Sequence, residues 1–244
     1  MTPFVDFLRK LITCLVAGCS GAAFWLLLGN GGGVPWLPAP VVFGLAGLSL
    51  AGVLAALGWW QWRARRGLAT GRLGTALLLA IRYLTAFNLA SFGWKKLLGL
   101  QFVVPAAIAS QPLNQQSGEW LTWYYFGYSP AFGAIIAGLQ LLGAGLLLFR
   151  RTVLLGAVVL AAVLFNLTLI NIFYHLNAGA LVQSVVASLA VLYLLALHRR
   201  QLVAALLPAR PQAVAGRPLA PILGPLSVLL LALLFTLYLK TLVR

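Results

Sequence analysis

Arg82 lies about ten residues inside an apolar run near 73–98, about 14 Å deep at a rise of 1.5 Å per residue. A guanidinium at that depth costs several kcal/mol unless it is paired or reaches water. The whole sequence holds two acids, Asp6 and Glu119. The first precedes the first apolar run and the second falls in a connection. Arg82 is therefore expected to meet neutral acceptors, to reach the headgroups, or to contact an anionic or polar ligand. Neutral polar side chains able to share its surroundings are Asn88, Gln140, Asn166, Asn171 and Gln183. Scattered, such amides act as interhelical hydrogen-bond glue contributing about 1 kcal/mol or less each. Convergent, they line a binding site. Lys96 follows Arg82 by 14 residues, which leaves the two within about 40° on a helix wheel. They could line one path into the membrane, or Lys96 could be an ordinary interfacial anchor. His175, at the end of another run, is either a proton carrier or an interfacial histidine.

Other chemistries find little support. His175 and His198 stand at opposite ends of successive runs, a membrane thickness apart, so they are not expected to share a haem. Two acids give no carboxylate cluster for Mg²⁺ or Ca²⁺. Cys14 and Cys19 are not spaced as a redox or metal pair and read as small apolar fillers. No nucleophile–base pair is recognisable, so neither a catalytic residue nor a metal site is assigned.

The elements that must position these residues follow from composition. Hydrophobic residues make up 62% and charged residues 8% of the 244, where a soluble domain carries about 25% charged. Lipid must therefore be the solvent for most of the chain. Seven apolar segments can be placed, at roughly 11–29, 40–62, 73–98, 131–149, 152–174, 178–197 and 221–239. Each must be helical, because an open strand edge in hydrocarbon leaves backbone groups unsatisfied. The expected fold is an all-α polytopic transmembrane bundle in a single membrane domain, 1–244. Two N-terminal spans (11–62) and one C-terminal span (221–239) flank a four-helix core (73–197).

The net charge of +15 would point to nucleic acid in a soluble chain. Here the basic residues gather at span ends, so they read as a topology signal and as contacts for anionic lipid. With the N-terminus in the cytoplasm, 12 basic residues fall inside and four outside, with Arg82 within a span. The outer four are Lys95, Lys96, Lys240 and Arg244. The positive-inside rule then places the C-terminus outside. The connection 99–130 is long, rich in glutamine and ends in aromatics from Trp120 to Tyr128. It is expected to be either an interfacial aromatic belt or a lid over an outward cavity.

At the third to sixth spans the sequence resembles the DoxX-like membrane proteins. Ile81-Arg82-Tyr83-Leu84-Thr85-Ala86-Phe87, followed by Phe92-Gly93-Trp94-Lys95-Lys96-Leu97, is similar to that family's first core helix, which often opens with Arg and closes with Gly-x-x-Lys-Leu. Gly138 to Leu148 looks like its second helix, and Asn166 to His175 like its polar-studded third. The resemblance covers about residues 74–200. It implies a bacterial inner-membrane protein linked to quinone or other redox chemistry, with Arg82, Lys96 and Gln140 at motif positions. Many members keep Glu where this chain has Gln140, a departure that removes an ionisable group.

The expectation is an accessory subunit of a membrane redox system, holding a quinone or small anion among spans three to six. Arg82, Asn88, Lys96, Gln140, Asn166, Asn171, His175 and Gln183 are the candidate ligand residues. No intrinsic cofactor is expected. Partners would be the bilayer, a redox subunit and, in an oligomer, further copies of the chain, but not nucleic acid. Rival readings are a small-solute transporter using the same cavity and a non-catalytic scaffold docking through the Arg63–Arg72 turn. No inverted repeat, as secondary transporters often show, is evident.

Overall fold

The computed structural model describes residues 3–207. The chain forms one compact unit up to Leu202 and a second from Val203. Six helices among the described residues are long and apolar enough to cross a membrane. They are α1 (Pro3–Leu28), α2 (Ala39–Arg65), α3 (Gly71–Leu97), α6 (Pro130–Leu148), α7 (Val153–Phe173) and α8 (Ala178–Leu197). Two shorter helices, α4 (Ala106–Ala109) and α5 (Gly118–Tyr128), lie between α3 and α6, and α9 spans Arg199–Leu206. The protein is thus an all-α multi-pass membrane protein. The expected span at 221–239 lies outside the described residues.

The sequence pattern explains where the helices stop. Glycine-bearing turns separate α1 from α2 and α2 from α3, and a two-residue-a-side hairpin (Gly33–Val34 with Leu37–Pro38) closes the first of these connections. Pro130 starts α6 at a position where its missing N–H costs nothing, and the Ser129 hydroxyl accepts from Phe132 N. Asn177 caps α8 in the same way, accepting from Ala180 N at 2.9 Å. Helix α1 begins at Pro3, well before the apolar run expected from residue 11. Asp6 and Lys10 pair across one of its turns at 2.6 Å, so its charged start is helical too.

Helices α3, α6, α7 and α8 form the core, each antiparallel to its sequence neighbour. Buried Ile81, Leu89, Leu147, Leu160 and Leu194 fill the space between them. Small residues set the spacing. A Cβ on Gly156 would stand 2.9 Å from Gly143 O, so α6 and α7 meet backbone to backbone. The first span, expected to flank the four-helix core, is tied into it. Helix α1 lies against both α3 and α8. Its Thr13 hydroxyl pairs with the Tyr193 hydroxyl, its Ala23 carbonyl accepts from Gln183 Nε2 at 3.0 Å, and Phe24 meets Phe87 edge-on at 5.2 Å. A backbone carbonyl carries no residue signature, which is why the sequence did not mark this helix. Helix α2 packs on α1.

The 99–130 connection is a folded roof. Phe102 stacks on Phe126 at 4.9 Å between centroids, and Phe126 on Phe132 at 5.8 Å. Phe126 is only 3% exposed. At the other end of α5, a Cβ on Gly118 would come 2.5 Å from Tyr174 O, so only glycine lets the roof press this closely on the end of α7. Asn177 Nδ2 donates to Glu119 Oε1 at 2.7 Å and ties the roof to the start of α8.

Candidate functional site

Beneath the roof, α3, α6, α7 and α8 enclose a cavity of about 80 Å³. A single buried water needs about 10–15 Å³ of such space, so the cavity holds several waters or a ring-sized group. Asn88, Lys96, Gln140, Asn171 and Gln183, five of the eight candidate residues, line it. The roof adds Gln101, Phe102, Thr122 and Phe126.

The amides divide into anchored and unanchored groups. Asn88 Nδ2 donates to Gln183 Oε1, and Gln183 Nε2 donates on to Ala23 O at 3.0 Å, linking α3, α8 and α1. Asn171 Nδ2 donates to Ala180 O at 3.1 Å and ties α7 to α8. By contrast, Asn88 Oδ1, Gln101 Oε1 and Gln140 Oε1 are buried with no hydrogen-bond partner among the described residues. Leaving a buried acceptor unmet costs about 1–3 kcal/mol, and the residues that carry these three all line one small space. Gln140 is only 2% exposed, so its amide is committed to this interior.

Lys96 brings the charge. Its Nζ sits 5.7 Å from the ring centres of both Phe92 and Phe102, and its one hydrogen bond is a long 3.4 Å contact to Phe92 O. Ring faces at that distance attract an ammonium but do not neutralise it. Among the described residues no carboxylate pairs with Lys96. The cavity is thus lined by one lysine, three amide residues with an unmet oxygen and the aromatic residues Phe92, Phe102 and Phe126.

Arg82 is elsewhere, and the single polar chamber expected to hold both Arg82 and the amides is two separate sites. Its Nε and Nη2 both donate to Leu147 O, at 2.9 and 2.8 Å. Leu147 is next to last in α6, where carbonyls lack intrahelical partners. A helical side chain leans towards its helix N-terminus, so Arg82 reaches away from Lys96 and meets the antiparallel α6 at its C-terminal end. It lines a different cavity with Arg150 and His198.

The remaining candidates also fall apart from the chamber. Asn166 lines a wider groove of about 720 Å³ between α5, α6 and α7. That groove shares Thr122, Phe126, Leu167 and Ile170 with the chamber as a common wall. His175 is exposed in the α7–α8 turn, with a left-handed φ of 53°. Sequence reasoning did not single out Gln101, Phe102, Thr122 and Phe126 as site residues. The available signal was a long connection with a glutamine directly after a helix end and an aromatic cluster behind it. Among the described residues, no three His, Cys, Asp or Glu side chains gather as a metal site would require.

No family model matches the chain, and no solved structure matches it. A Bacillus subtilis (strain 168) protein described as uncharacterized protein YwoB is 34% identical over 137 residues, covering 54% of this chain and 85% of that protein. The chain belongs to the family of that protein.

Proposed function

We propose that this member of the YwoB family is a membrane-embedded binding subunit that holds a quinol-type ring under its roof, as a DoxX-like accessory component of a redox system. The observation that carries the reading is Lys96, paired with no acid among the described residues, in a cavity lined by the residues of three unmet amide oxygens. A quinol offers two hydroxyl donors to such acceptors, and its ring oxygens accept from the ammonium. A bare small anion suits the chamber less well, because the same three oxygens would repel it. The rings of Phe92, Phe102 and Phe126 supply flat apolar surface for the ring. The groove behind Phe126 and Ile170 gives an isoprenoid tail a place beside the chamber. Electrons would be exchanged with a separate subunit.

The test is solvent extraction and mass spectrometry of protein purified gently from its native membrane. Quinone or quinol should accompany the wild type. It should be lost from Lys96→Met and Gln140→Leu and kept by Arg82→Lys, which lies in another cavity. Purified protein without quinone, or full retention by Lys96→Met, rejects the reading.

A further inference from the structure

At the opposite end of the bundle from the roof, α3, the α6–α7 turn and the end of α8 surround a cavity of about 300 Å³. Its polar lining is Thr75, Arg82, Arg150 and His198, and the rest is leucine and valine. Arg82 is 7% exposed. It spends two nitrogens on Leu147 O, a neutral acceptor, and its third nitrogen has no partner among the described residues. His198 Nδ1 donates to Leu194 O at 2.9 Å and the Thr75 hydroxyl to Gly71 O at 3.0 Å, so the free donors of this cavity are those of the two arginines.

Neither acidic side chain of the sequence supplies counter-charge to this cavity. Of the two acids in the sequence, Asp6 is paired with Lys10, and Glu119 accepts from Asn177 in the roof. The depth of the cavity also matters. Helix α6 has 19 residues, about 28 Å at 1.5 Å per residue, close to the roughly 30 Å of a bilayer's hydrocarbon. Its C-terminal Leu147 and the following Arg150 therefore stand where hydrocarbon gives way to headgroups.

We propose that this cavity is a binding site for the phosphate of an anionic phospholipid. Arg82 and Arg150 neutralise the phosphate and supply its hydrogen-bond donors, and the aliphatic wall receives the glycerol and the upper acyl chain. That wall is the reason to assign a lipid in preference to free phosphate, which would gain nothing from it. The site is independent of the quinol reading, because the two cavities share no lining residue.

Native mass spectrometry of the intact protein in detergent tests the assignment. Phosphatidylglycerol and phosphatidylcholine of identical chains are titrated against the wild type, Arg150→Gln, Arg82→Lys and Arg200→Gln. Phosphatidylglycerol should be preferred, and Arg150→Gln should weaken its retention about fivefold, the usual contribution of one basic residue near an anionic surface. Arg82→Lys should keep part of the preference. Arg200→Gln removes the same charge at the same end outside the cavity and should change little. Arg150 and Arg200 are both exposed, so neither substitution threatens folding. Equal retention of the two lipids, equal losses in Arg150→Gln and Arg200→Gln, or displacement of the lipid by equimolar inorganic phosphate would each overturn the proposal.

Discussion

Arg82 and Lys96 stand on one helix, 14 residues apart and on nearly the same face, yet the protein treats them differently. The guanidinium is taken up by the chain itself, with two donors on the Leu147 carbonyl at the end of α6. The ammonium has two aromatic rings, one long hydrogen bond and a cavity with unmet acceptors. Arg82 thus doubles as a cap for a neighbouring helix and holds the core together at the arginine-rich end. Lys96 leaves its charge for something else to meet. Burial of a cation does not by itself say what meets it; Arg82 spends two nitrogens on the chain and keeps one for its own cavity, whereas Lys96 has only one long bond.

Arg82→Leu should break this contrast most severely. It removes charge-assisted bonds to a carbonyl otherwise unpaired, and such bonds contribute about 1.5–3 kcal/mol. The unfolding midpoint in mixed micelles should fall accordingly, whereas Lys96→Met should leave it unchanged or raise it, since an uncompensated charge disappears. Equal destabilisation by both substitutions would dissolve the distinction between the two ends.

Gln183→Leu sharpens the comparison from the roofed end. It severs the link from Asn88 to Ala23 and leaves a fourth buried amide atom, Asn88 Nδ2, unmet. Interhelical bonds of this kind in membranes contribute about 0.6 kcal/mol and at most about 1.7, so the loss should be smaller than for Arg82→Leu. The same micelle unfolding measurement decides it. A loss larger than that of Arg82→Leu would make the amide relay, not the arginine cap, the main polar tie of the core.

Asn177→Ala should have the smallest global effect, about 1 kcal/mol or less for a lost cap at an exposed helix start. Its local effect should be confined to one end. It removes both the α8 cap and the tie to Glu119, so amide exchange should quicken across Gly118–Tyr128 and stay unchanged at Arg82 and Leu147. Exchange that rises equally at both ends would show that the roof has no separate stability.

Much of the fold was legible in the residues. The chamber's composition was only partly so. Asn88, Gln140 and Gln183 announce themselves because amides are rare in apolar runs, and these three do converge. Asn166 carries the same signal and points into the groove instead, because a single helix cannot say which of its faces a neighbour will cover. Gln101 and Phe126 were hidden in a connection whose composition fits a belt as well as a roof. Only the stacking of Phe102 on Phe126, and the press of Gly118 on Tyr174, distinguishes the two.

The sequence by itself determined the solvent and the secondary structure. So few charges among so many apolar residues leave lipid as the only environment, and lipid leaves helices as the solution for these runs. It also determined that the buried cations would lack acids, since the chain has almost none to offer. The partners of those cations were decided by tertiary structure alone. Every residue carries a carbonyl, so no sequence pattern marks Leu147 as the one that Arg82 meets. That pairing comes from the rotation and offset of α3 against α6, which are set by packing many side chains at once.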